Sequence, residues 1–132
     1  MLLILPTIPN DGVSDMTIKR LEVGPRMSQV VIHDKIAYLA GQVAMGAKGK
    51  SVREQTQDIL STIDKLLKSA GTDKSRLITT NIWLADISKF AEMNEVWDKW
   101  VSAGNTPARA TVEAKLAAPE FTVEIMVTAA ID

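Results

Sequence analysis

Residues 51–71 read SVREQTQDILSTIDKLLKSAG, and this stretch decides the fold. Ser51 and Glu54 have the S/T-x-x-E form of a capping box. A hydroxyl and a carboxylate then each satisfy an orphan amide at a helix start. Val52, Ile59, Ile63, Leu66, Leu67 and Ala70 follow at helical spacing, and Gly71 stands where a helix stops. The flanks have a different period. Upstream, Ser28–His33 and Ile36–Val43 read as strands joined by the two-residue turn Asp34-Lys35, a hairpin over 28–43. Thr17–Val23 alternates and precedes them as a further strand, broken off by Gly24-Pro25. Downstream, Arg76–Ala85 is an apolar strand. Asp86 or Ser88 caps a second helix with Phe90, Met93, Trp97, Trp100 and Val101 on one stripe, ended by Gly104. Ala108–Lys115 and Thr122–Ala130 are the last two strands. The order β-β-β-α-β-α-β-β predicts an α+β domain: one mixed sheet with both helices on one face.

Composition bounds the rest. The chain has 132 residues, 46% of them hydrophobic, which suits one domain with a real core. Fifteen Lys and Arg stand against sixteen Asp and Glu, so no global field draws in nucleic acid or an acidic membrane. There is no Cys, which removes thiolate nucleophiles and Cys-ligated metals, and the single His makes a multi-histidine metal site improbable. No apolar run approaches the roughly 20 residues that span a bilayer. The expectation is a soluble cytoplasmic protein. Residues 1–15 hold Pro6, Pro9, Asn10, Asp11 and Gly12 and are expected to form a poorly ordered extension. Met16 is then an alternative start, and 16–132 is the single domain.

Chemistry is sparse. Gly46-Ala-Lys-Gly49-Lys lacks the spacing of a phosphate loop. His33 beside Asp34 reads as a strand-end residue. Trp83, Trp97 and Trp100 fall in apolar patterns and read as core rather than as a base-stacking platform. The last two strands say more. Arg109, Thr111, Glu113 and Lys115 share one face of their strand, and Arg109 offers a rigid fork for a carboxylate. Glu124, opposite Val123 and Ile125, can act as an acid or base if partly buried. Without the register, Glu113 and Glu124 compete for the place beside Arg109.

The text around these residues resembles the RidA/YjgF family, the reactive-intermediate deaminases also called endoribonuclease L-PSP. The resemblance rests on Pro107-Ala-Arg-Ala-Thr-Val-Glu-Ala114, then Leu116, Pro119 and Val123-Glu-Ile125. Gly24-Pro-Arg-Met-Ser-Gln29, Ala40-Gly-Gln-Val43, Gln55-Thr56, Leu67-Lys-Ser-Ala-Gly71 and Leu84-Ala-Asp-Ile-Ser-Lys-Phe-Ala-Glu-Met-Asn94 follow the family's order. It implies a chorismate-mutase-like fold and a homotrimer with a central barrel and clefts between subunits. It implies cofactor-free hydrolysis of enamines or imines, such as 2-aminoacrylate, to 2-keto acids and ammonia. Arg109 matches the family's carboxylate-binding Arg, and Glu124 its water-activating acid. Asn94 matches its helix Asn. Thr111, Ala40 and Met27 (or Arg26) stand where the family often has Cys, Ser and Tyr. Those departures keep open a second expectation, a trimer that binds a keto acid without turnover.

Overall fold

The computed structural model describes residues 17–132; the expectations for 1–15 and for Met16 lie outside them. Seven strands form one sheet: β1 (Lys19–Val23), β2 (Ser28–His33), β3 (Ile36–Leu39), β4 (Gln42–Val43), β5 (Leu77–Leu84), β6 (Ala108–Glu113) and β7 (Val123–Ala130). The spatial order is β1-β2-β3-β7-β5-β6, with β4 also on β7. All pairs are antiparallel except β5 and β6, which run parallel. Two helices, α1 (Val52–Ser69) and α2 (Phe90–Trp100), complete the α+β arrangement.

Local chemistry explains the elements. Ser51 Oγ accepts from Glu54 N, so the capping box forms. Asp34 and Lys35 both have positive φ, the twist a two-residue hairpin turn needs. Asp86 caps a short 3-10 turn over Ile87–Lys89 rather than α2, which starts at Phe90 without a side-chain cap. That helix stops at Trp100, and Gly104, with φ +81°, lies in the loop beyond.

The strand expected over 36–43 divides in two. Tyr38 pairs with Thr128 and Gln42 with Ile125, so four steps on one side face three on β7. The extra residue is a bulge. It lets both Leu39 and Gln42 turn inward, and both are buried.

The core lies between the sheet and the helices. Val123, Ile125, Val127 and Ala129 of β7 alternate inward with Ile82 and Leu84 of β5. They meet Ile59, Leu60, Ile63 and Leu67 of α1, all nearly inaccessible. Burying each such side chain is worth about 1.5–3 kcal/mol, so α1 is held by its apolar face more than by its cap. The other sheet face has no helix over it. Tyr38 and Val112 are exposed there, and Trp83 and Met126 are half-buried. Trp83 is therefore not a core residue: it pairs with Glu124, on the uncovered side.

Gln55, in the first turns of α1, is fully buried and polar. Its amide donates to the carbonyls of Lys50 (3.1 Å) and Glu120 (2.8 Å), and its oxygen accepts from Thr122 N (2.9 Å). These bonds pin the loop that leads into β7, two residues before Glu124.

Candidate functional site

The register settles the competition left open by the sequence. The last two strands are not neighbours: β5 lies between them. Arg109 pairs with Thr80, a buried residue of the helix-covered face. Glu124 pairs with Trp83 on the uncovered face. Within one chain the cation and the acid are thus on opposite sides of the sheet. Glu113 does not replace Glu124. It lies four residues along β6 from Arg109, and its Oε1 accepts from Ile87 N at 3.0 Å.

The β6 corner holds the cation. Arg109 Nη1 donates to Asn94 Oδ1 at 2.9 Å. Its guanidinium carbon stands 5.2 Å from the Trp97 ring centroid and 5.8 Å from that of Phe90. Phe90, Asn94 and Trp97 sit at i, i+4 and i+7 on α2, so one helical stripe grips the group. Burial lowers the guanidinium's proton affinity, partly offset by Asp98; an arginine still stays charged at neutral pH. Among the described residues, Arg109 makes no ion pair. Thr111, two residues on and on the same face, has a buried hydroxyl with no hydrogen-bond partner. The structure thus brings Arg109, Asn94 and Thr111 together.

The acid sits at the centre of the sheet. Glu124 is flanked by Val43 on β4 and Trp83 on β5. Its carboxylate lies over Gly41: a Cβ there would fall inside the radius of Glu124 Oε2. Burial pushes the Glu124 carboxyl above the usual carboxylate range. Ala40 adjoins Gly41; its N donates to Gln29 O (2.9 Å), and its carbonyl accepts from Gln42 Nε2 (3.0 Å). Gln42 also donates to Gln29 Oε1 at 2.7 Å, which fixes the bulge. Met27 is exposed between β1 and β2, and its carbonyl accepts from Gly24 N. The adjoining β2 lies four strands from β6, roughly 19 Å at the usual strand spacing. Ala40 and Met27 therefore do not join Arg109 in one chain.

The sequence reading missed three contributors. Helical periodicity alone reads Phe90 and Trp97 as packing, although their spacing with Asn94 marks a single helix face. Gly41 was passed over for Ala40, although a glycine inside a strand signals a close approach.

Residues 17–131 match the family described as Endoribonuclease L-PSP. The chain belongs to this family. It is the RidA/YjgF family that the motifs resemble. A RutC family protein of Haemophilus ducreyi is 47% identical over 115 residues, covering 87% of this chain and 97% of the relative. NMB1025, a YjgF family protein from Neisseria meningitidis, has a crystal structure that matches with a TM-score of 0.85. It is 44% identical, and the match covers 89% of this chain and 97% of that one. A human 2-iminobutanoate/2-iminopropanoate deaminase is 32% identical over 96 residues, 69% of each chain. The family's one-sheet, two-helix fold accounts for the motif order. Pro107–Ala114 builds the Arg109 corner, Ala40–Val43 the bulge, and Val123–Ile125 the acid. No helix among the described residues is long and apolar enough to cross a membrane.

Proposed function

We propose that this chain hydrolyses imines and enamines of 2-amino acids to 2-keto acids and ammonia, in clefts between copies of a homotrimer. The observation that carries this reading is Arg109: a half-buried cation held by an amide oxygen and two rings, with no carboxylate in ion-pair contact among the described residues. Such a fork suits the carboxylate of an incoming substrate. Its acid partner must come from elsewhere, because Glu124 of the same chain is behind the sheet. The uncovered face bearing Tyr38, Trp83, Met126 and Val112 is the surface on which second and third copies would sit. Glu124 of one copy would then meet Arg109 of the next. The similarity to the human deaminase supports the same chemistry.

In the proposed reaction, Arg109 holds the substrate carboxylate and backbone groups near Thr111 orient the imine nitrogen. Glu124 takes a proton from water as the oxygen bonds to the imine carbon. The proton passes to the nitrogen of the resulting carbinolamine. The C–N bond then breaks as the hydroxyl proton passes through Glu124 to the departing nitrogen, so ammonia leaves and the ketone forms. An enamine such as 2-aminoacrylate first gains a proton at its terminal carbon and loses one from nitrogen to become the imine. Imines hydrolyse readily in water, so one positioned carboxylate is sufficient catalysis.

Subunit mixing tests the reading. An amino-acid oxidase supplies imino acids in situ, and keto acid release is followed. Arg109→Ala and Glu124→Gln are each expected to keep about one per cent of wild-type activity or less. Refolded together, they should recover roughly a quarter of wild-type activity, because random assembly pairs an intact Arg109 with an intact Glu124 in that share of clefts. No recovery from well-assembled mixtures would overturn the shared cleft. Keto acid binding by wild type without any turnover would instead establish the non-catalytic reading.

A further inference from the structure

The two helices enclose a second cleft on the outside of the molecule, well apart from the uncovered sheet face. Its volume is about 360 Å³, within the range of small-molecule sites. The floor is apolar: Leu60 of α1, almost wholly buried, and Val96 of α2. One end is closed by an ion pair, Arg53 Nη1 to Glu95 Oε1 at 2.7 Å. At the other end stands Trp100. Its indole N–H donates to both oxygens of Asp64 at 3.1 Å, which fixes the ring's orientation and occupies the Asp64 carboxylate. Lys74 Nζ lies 5.3 Å from the centroid of the same ring. Lys99 also lines the cleft. Among the described residues, neither Lys74 nor Lys99 makes an ion pair.

We infer that this inter-helix cleft is a binding site for a planar aromatic monocarboxylate. Setting the Arg53–Glu95 pair aside, two ammonium groups face one carboxylate, an excess of one positive charge over an apolar floor. A flat ring can lie on Leu60 and Val96 against the indole. Its carboxylate then reaches the ammonium of Lys74, which moves off the ring to meet it. A non-aromatic acid would gain the charge contact alone, and an uncharged ring only the apolar one. The site is independent of Arg109 and of the proposed reaction.

The test is calorimetric titration of 2-naphthoate into the full chain carrying Arg109→Ala, so that the β6 corner cannot take the carboxylate. Saturable one-to-one binding is expected. Lys74→Ala in the same background should weaken it about ten-fold, as should replacing 2-naphthoate by cyclohexanecarboxylate. Because Lys74 is a surface residue, that variant should fold, and circular dichroism checks it. Absence of saturable binding would overturn the inference. So would equal affinity for cyclohexanecarboxylate, or indifference to Lys74→Ala.

Discussion

The β6 corner and the centre of β7 each hold one charged group, and they hold it by opposite means. At the corner, Arg109 lies at the edge of the sheet, gripped from outside by three residues of α2. At the centre, Glu124 lies between two strands, and room for it is made by leaving a side chain out at Gly41. A guanidinium tolerates an aromatic clasp because its charge is delocalised and weakly hydrated. A carboxylate has no such option and is left partly desolvated, so its proton affinity rises. In the proposed reaction the corner would bind the substrate and the centre would transfer the proton. Neither completes a site alone.

The sharpest way to break the comparison is Arg109→Ala. Losing the proposed charge-assisted anchor is expected to lower kcat/KM about a thousand-fold while the proposed trimer, measured by light scattering, stays assembled. Glu124→Gln should cost roughly a hundred-fold, the usual share of a general acid-base group. Its pH profile separates it from the anchor. A base must be ionised, so wild-type kcat/KM should fall as pH drops through a value above the ordinary glutamate range, and the variant should lose that limb. The same shift bears on stability. Because the folded-state pKa is raised, Glu124's own contribution to stability is fully present below the ordinary glutamate pKa and is lost as pH rises through the folded value; Glu124→Gln should remove that part of the pH dependence in thermal melts.

Gly41→Ala sharpens the comparison further. The new methyl must displace the Glu124 carboxylate, so kcat should fall about ten-fold with little change in KM. Asn94→Ala should do the converse at the corner, raising KM about three-fold with kcat nearly unchanged, since Arg109 keeps both rings.

Much of this was legible in the chain. The capping box at Ser51, the helical spacing that follows and the turn at Asp34-Lys35 depend on neighbours in sequence, and local rules read them correctly. So did the motif order that identified the family. What escaped reading was long-range. No pattern in residues 108–130 says that β5 comes between β6 and β7, and so the sequence leaves Glu113 and Glu124 competing for the place beside Arg109. The same gap put Trp83 in the core: an apolar strand looks alike whichever face a helix covers. The bulge at Ala40-Gly41 left a trace, a glycine within a strand, whose meaning depended on a carboxylate more than eighty residues away.

The sheet order also has a consequence for synthesis. β7 lies between β3 and β5, yet among the described strands it is the last to be translated. Until it leaves the ribosome, β3 and β5 have no partner on their inner edges, and α1 has only part of a floor to fold against. From the synthesis of β5 until β7 emerges, the nascent chain therefore carries two unpaired edges, the condition that invites aggregation and chaperone capture. The pairing of Ile36 with Ala130 joins distant parts of the domain, a long-range contact of the kind that slows folding.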